Sequence, residues 1–164
     1  MTASRRQLLL GGAAASLALA RPAAAAEPSA VEQLERLLVL ERRLEHAYDT
    51  ALARGAIEPE LGDTLLAHER EHVRGLEQAL RGLGRREPRA GAPPPEAGAA
   101  FESRRAFARY ALDLEDRTVR AYEQVLATLR AERLLQPLGS IMASGAQHMV
   151  ALRQVAGDDL LGVP

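Results

Sequence analysis

Two parts of this chain repeat one pattern of side chains able to hold metal ions. Residues 40–48 align without gaps on residues 114–122, and in each copy a Glu is followed seven residues later by a Tyr: Glu41 and Tyr48, then Glu115 and Tyr122. Downstream, residues 67–73 align on residues 143–149. The first of these holds Glu-x-x-His, as Glu69 and His72. The second holds Gly-x-x-His, as Gly145 and His148. Carboxylates and imidazoles are ligands that suit Fe, Mn or Zn. One Glu from each of two helices, with a Glu-x-x-His from each of two more, is the ligand set of a two-metal site inside a four-helix bundle. Five of those six ligands are present, and Gly145 stands where the sixth would be.

Residues 68–72 also read as His-Glu-x-x-His, and Gly75 extends the match toward a zinc-peptidase signature. In that reading His68 and His72 bind zinc and Glu69 is the base. The third His of the signature falls on Gln78, no strand is at hand to align a peptide, and Glu41, Glu115 and His148 are left without a role. His68 lies one residue off the apolar stripe and is expected to be solvated, outside the metal cluster.

The elements that must position these residues are helices. Ser29 and Glu32 form a capping box ahead of a helix expected to run to about Arg54 and stop at Gly55. Its apolar stripe, Val31, Leu34, Leu38, Leu44, Tyr48 and Leu52, steps by three and four residues and includes Glu41. Pro59 opens a second helix ending near Gly82 and Gly84, with Glu69 and His72 on the stripe of Leu65, Leu76 and Leu80. The third is expected from about Ala99 to Leu129, carrying Glu115 and Tyr122 among Ala108, Ala111, Val119 and Leu126. The fourth is expected from Pro137 to Gly157, carrying Gly145 and His148 among Leu138, Ile141, Leu152 and Val155. Few β-branched residues and no alternating runs argue against strands, so the fold class is all-α. Residues 85–98, rich in Pro and Gly, form a linker. About fourteen residues at roughly 3.3 Å each reach about 45 Å, more than the roughly 36 Å of a 24-residue helix. Helices two and three can therefore lie parallel, joined by one long crossover.

Three glutamates and two histidines thus occupy positions where leucines belong. An unpaired buried carboxylate costs several kcal/mol or takes up a proton. No arginine falls on the four stripes to pair with them, which makes a pair of divalent ions the natural counter-charge. The i, i+3 spacing puts Glu69 and His72 on one helix face, about 5–6 Å apart at Cβ.

With these residues in place, residues 29–157 resemble the ferritin-like superfamily, in particular its bacterioferritin and rubrerythrin layout of Glu…Tyr, Glu-x-x-His, Glu…Tyr, Glu-x-x-His. The resemblance implies a four-helix bundle in which Glu41 and His72 bind one metal, Glu115 and His148 the other, and Glu69 bridges both. It implies one or two Fe or Mn ions and oxidation of Fe(II) or disposal of peroxide. Tyr48 and Tyr122 would sit just beyond the ligands, hydrogen-bonded to carboxylates or passing electrons. Gly145 departs from the pattern, since the family places a second bridging Glu there. A descendant that has lost its metal and serves a structural or partner-binding role is the rival reading. The few residues after Val155 leave no room for the fifth short helix of ferritin cages, so the resemblance points to a monomer or small oligomer rather than a 24-subunit particle.

The N-terminus reads as an export signal. Arg5 and Arg6 precede an apolar run to about Ala20, and Ala-x-Ala cleavage sites lie between Ala23 and Ala26. The paired arginines resemble a twin-arginine signal, with an ordinary secretory signal as the alternative. The run is too short and too rich in Ala and Gly to remain as a membrane anchor. Removal of residues 1–26 leaves residues 27–164 as one domain in a periplasmic or secreted location. Three of the 21 basic residues leave with it, and none of the 22 acidic ones, for a net charge of about −4. That balance has no basic stripe for nucleic acid. The absence of cysteine excludes disulfides and thiolate-ligated metals.

Overall fold

A computed structural model describes residues 29–85 and 98–157. The expected signal, most of the Pro-rich linker and the last seven residues lie outside the described residues. The described residues form four α-helices of similar length, α1 (Ala30–Arg54), α2 (Pro59–Gly82), α3 (Arg104–Thr128) and α4 (Glu132–Ala156), with a short 3-10 turn (Gly98–Phe101) ahead of α3. No strand occurs among the described residues.

Local sequence accounts for most helix ends. The backbone N–H of Ser29 donates to Oε2 of Glu32 at 2.7 Å, and the N–H of Glu32 donates to Oγ of Ser29, closing the expected capping box. Gly55 ends α1 with φ at 67°, a left-handed conformation that only Gly adopts without a Cβ penalty. Pro59 opens α2 where its missing N–H costs nothing.

Two boundaries differ from the sequence reading. The third helix begins at Arg104, not near Ala99, because Ser103 caps it by accepting from the N–H of Ala106. Phe101, in the turn before it, is buried against Phe107 and Tyr110. The fourth helix begins at Glu132 and runs through Pro137. Pro137 removes one helical hydrogen bond. Leu134, in the turn ahead of it, is nevertheless buried with Leu138 in the core, and that packing favours continuing the helix through the break.

Interhelical contacts fix the topology. Along α1 and α2, Glu35 meets Arg85, Arg42 meets Glu77 and Asp49 meets Arg70, so this pair is antiparallel. Along α1 and α3, Gln33 meets Thr128 and Arg43 meets Tyr110, so this pair is antiparallel too. Helices α2 and α3 are therefore parallel, as the linker length allows. The core is split. One apolar cluster includes Leu44, Ala47, Phe107, Ala111 and Leu152, and the other includes Leu34, Leu37, Leu76, Leu80 and Leu138. Between them lies a layer of buried charged side chains.

Candidate metal centre

Each of the four helices contributes to that layer. Glu41 on α1, Glu69 on α2 and Glu115 on α3 are each 1% exposed, and His148 on α4 is 3% exposed. His72, one helical turn beyond Glu69, keeps 11% of its side chain accessible. Glu41 follows Leu38 and precedes Leu44 on one face, and this period carries the carboxylate inward.

The side chains converge as two groups sharing one residue. Glu41, Glu69 and His72 place one ligand atom each within 4.8 Å of one another, and so do Glu69, Glu115 and His148. Nδ1 of His72 lies 3.3 Å from Oε2 of Glu41 and 3.5 Å from Oε2 of Glu69. Nδ1 of His148 lies 3.1 Å from Oε1 of Glu69 and 3.0 Å from Oε1 of Glu115. Glu69 thus turns one oxygen to each histidine. Those contacts lack hydrogen-bond geometry, and both Glu69 oxygens are buried without a hydrogen bond. A buried carboxylate left in that state is costly. Two unsatisfied oxygens facing two imidazole nitrogens fit a pair of cations better than they fit protein partners alone.

Protons take up part of the charge when no cation is present. Burial acts to lower the pKa of both histidines, yet Glu41 and Glu69 outweigh it at His72, raising it to about 10. Glu115 and Glu69 do the same at His148, raising it to about 9. Glu41 is pushed up to about 8, first by burial and then by the charge of Glu69 against the opposing contact with His72. For Glu69 burial acts upward, but His148, His72 and Glu41 outweigh it and the net direction is down.

The two tyrosines flank this layer unequally. Oη of Tyr48 donates to Oε1 of Glu115 at 2.7 Å. Oη of Tyr122, on the Glu41 side, is buried without a hydrogen bond. Burial, reinforced by Glu115 at Tyr48 and by Glu41 at Tyr122, holds both phenols well above their ordinary range, so both stay protonated.

Gly145 faces the site. A Cβ built there would meet Oε2 of Glu115 at 3.3 Å and Cγ2 of Val119 at 3.2 Å. The position expected to carry a sixth ligand points at the cluster and has no side chain to offer.

His68 departs from the sequence reading. It is not solvated away from the cluster. Its Nδ1 lies 3.0 Å from Nε2 of His148, on the side of that ring opposite the carboxylates. It joins neither of the two ligand groups. The spacing of four residues from His72 carried the information, because i and i+4 share a helix face.

The ferritin-like domain family profile matches residues 29–158, most of the chain and all four helices. The chain belongs to the ferritin-like family. Among solved structures, this ferritin-like chain resembles one described as a ferritin-like, diiron-carboxylate protein from Bacillus anthracis str. Ames. The TM-score is 0.62 at 21% identity, covering 77% of this chain and 96% of that one, a likeness of fold. No curated protein matches the chain. The ferritin-like fold and the buried Glu and His cluster are compatible with metal binding. No helix among the described residues is long and apolar enough to cross a membrane.

Proposed function

We propose that this is an exported ferritin-like protein that binds one or two Fe or Mn ions in its bundle core and acts in oxidising Fe(II) or disposing of peroxide. The observation that carries the proposal is Glu69. Its two buried oxygens lack hydrogen bonds and lie between two histidine nitrogens. Glu41 and His72 would hold one ion, Glu115 and His148 the other, with Glu69 between them. Ions of this kind supply one-electron redox chemistry when bound. The chain's own residues set the conditions for it. The apolar layers on either side keep bulk water from the carboxylates. Tyr48 holds Oε1 of Glu115 in place. Tyr48 and Tyr122 are the oxidisable side chains at the site, assigned here to pass electrons. The solved relative is described as a diiron-carboxylate protein, which favours iron. Export follows from Arg5, Arg6 and the apolar run after them, and the assembly proposed is a monomer or small oligomer.

Gly145 favours a second reading, a metal-free bundle with a structural or partner-binding role. The protonated histidines and Glu41 would then be its resting state. Metal analysis of the mature protein purified from its own periplasm separates the two. One or two Fe or Mn per chain supports the first. Protein that arrives without metal, and takes up neither Fe(II) nor Mn(II) in anaerobic titration, establishes the second.

A further inference from the structure

We propose that His68 is a positioning residue for His148, accepting a hydrogen bond from its Nε2–H so that Nδ1 stays aimed at Glu69 and Glu115. The expected effect on metal affinity rests on the metal-binding reading above, whereas the hydrogen bond does not.

The geometry is that of an edge-to-edge contact. The two rings lie within 9° of parallel, with centroids 5.3 Å apart. Nδ1 of His68 and Nε2 of His148 are 3.0 Å apart. The centroid separation is close to that contact plus the radii of the two rings. The two nitrogens therefore lie near the line between the centres, where a hydrogen bond is in plane, rather than in a face-to-face stack. A single hydrogen occupies that line. Nδ1 of His148 is the atom that faces two carboxylates, at 3.0 and 3.1 Å. Facing two carboxylates, Nδ1 is itself a donor when no ion is present, and the ring is then an imidazolium with a hydrogen on each nitrogen. An ion at Nδ1 would displace only that hydrogen, so Nε2 keeps its own in either state, which makes His148 the donor and His68 the acceptor.

A histidine that binds a metal through one nitrogen commonly donates from the other, and that partner fixes both tautomer and ring plane. Oγ of Ser144 is also near Nε2 of His148, at 3.2 Å. Ser144 lies one turn earlier on the same helix and moves with His148. His68 is on α2, and so ties the His148 ring to the helix that carries Glu69. No comparable partner for Nε2 of His72 is seen among the described residues. The support is therefore one-sided, and its loss falls on the Glu115–His148 position alone.

The test uses full mature protein with His68→Phe and His68→Gln. Phe keeps a flat ring and removes the acceptor, whereas Gln can accept through its side-chain oxygen. In metal-free wild type, NMR should show a nitrogen–nitrogen scalar coupling across the His148–His68 hydrogen bond and a slowly exchanging Nε2 proton. His68→Phe should abolish both while leaving the thermal midpoint close to wild type. Anaerobic titration with Fe(II), and with Co(II) followed by its visible absorption, should show one binding event weakened about 10- to 100-fold by Phe. The other event should be unchanged, and Gln should restore most of the loss. Absence of the coupling in wild type overturns the proposal. So does wild-type binding of both ions by His68→Phe, or an equal loss with Phe and Gln. If wild type takes up no metal yet shows the coupling, and His68→Phe removes it, the metal-binding reading fails while the positioning of His148 stands.

Discussion

Gly145 is packed against Glu115 so closely that a Cβ built on it would stand 3.3 Å from Oε2 of that carboxylate, with Cγ2 of Val119 at 3.2 Å. The position faces the cluster, and a side chain there must displace its neighbours by a few tenths of an ångström. Gly145→Ala gains about 1 kcal/mol of helix propensity, offset by this crowding. It should change stability little and metal content not at all. Gly145→Glu adds a fourth buried carboxylate. It should destabilise the metal-free protein by several kcal/mol, recover that loss when Fe(II) or Mn(II) is added, and move bound metal toward two per chain. Denaturation with and without metal, beside metal analysis, reads both effects. Identical behaviour of the Ala and Glu variants would remove position 145 from the site.

Metal binding should release protons and strengthen as pH rises. In the metal-free protein His72 is raised to about 10, His148 to about 9 and Glu41 to about 8, so at pH 7 all three carry a proton. Ligation at all three sites displaces them, so about three protons should leave per chain when both positions fill. The stability of the metal-free protein should move the other way. A folded-state pKa raised above its unfolded value gives stability that is present below the unfolded value and lost as pH climbs to the folded one. That window is 4.5 to about 8 for Glu41 and 6.5 to about 9 or 10 for the histidines. Glu69, shifted down, contributes in the opposite sense below its ordinary 4.5. Titration in weak buffer and denaturation from pH 6 to pH 10 measure the two trends. A metal-free protein that gains stability across that range would contradict this charge assignment.

Glu69 is shared and the other carboxylates are not. Glu69→Ala should abolish binding at both positions, whereas Glu41→Ala and Glu115→Ala should each spare the position they do not serve. Removing Glu69 also strips His72 and His148 of a common buried partner. Breaking a buried charge pair from one side costs about 3–5 kcal/mol, and a loss of that order is expected in the metal-free protein. Calorimetric titration of the three variants gives the comparison.

The tyrosines should differ in stability although they occupy equivalent positions in the repeat. Tyr48→Phe removes a 2.7 Å hydrogen bond to Oε1 of Glu115 and leaves His148 as the partner of that buried oxygen. A hydrogen bond to a charged group contributes about 1.5–3 kcal/mol, and a loss in that range is expected. Tyr122→Phe removes a buried hydroxyl without a hydrogen bond and should be neutral or slightly stabilising. Urea denaturation of the two variants would show the contrast, and equal losses would mean that Tyr122 finds a partner in solution.

Much of the fold was legible along the chain because helix signals are local. The capping box at Ser29 and Glu32, the stop at Gly55 and the start at Pro59 each act within one turn. The helical period alone carried Glu41, Glu69 and Glu115 onto buried faces. The linker's length allowed α2 and α3 to be parallel, and the contacts along α1 show that they are. The start of α4 was not legible, because Pro137 is a strong local stop and burial of Leu134 and Leu138 outweighs it only once the other helices are in place.

The candidate site divides along the same line. Residue type and spacing by themselves determined that three carboxylates and two imidazoles share the inner faces of four helices, and that position 145 offers no sixth ligand. Only the tertiary structure decided how those groups meet. His68 turns to the far nitrogen of His148, Tyr48 reaches Glu115 while Tyr122 makes no hydrogen bond, and Glu115 fills the space beside Gly145. Helical periodicity sets the direction of a side chain from its own axis. The distance between side chains on different helices depends on the relative height and rotation of those helices, and packing of the whole core sets both.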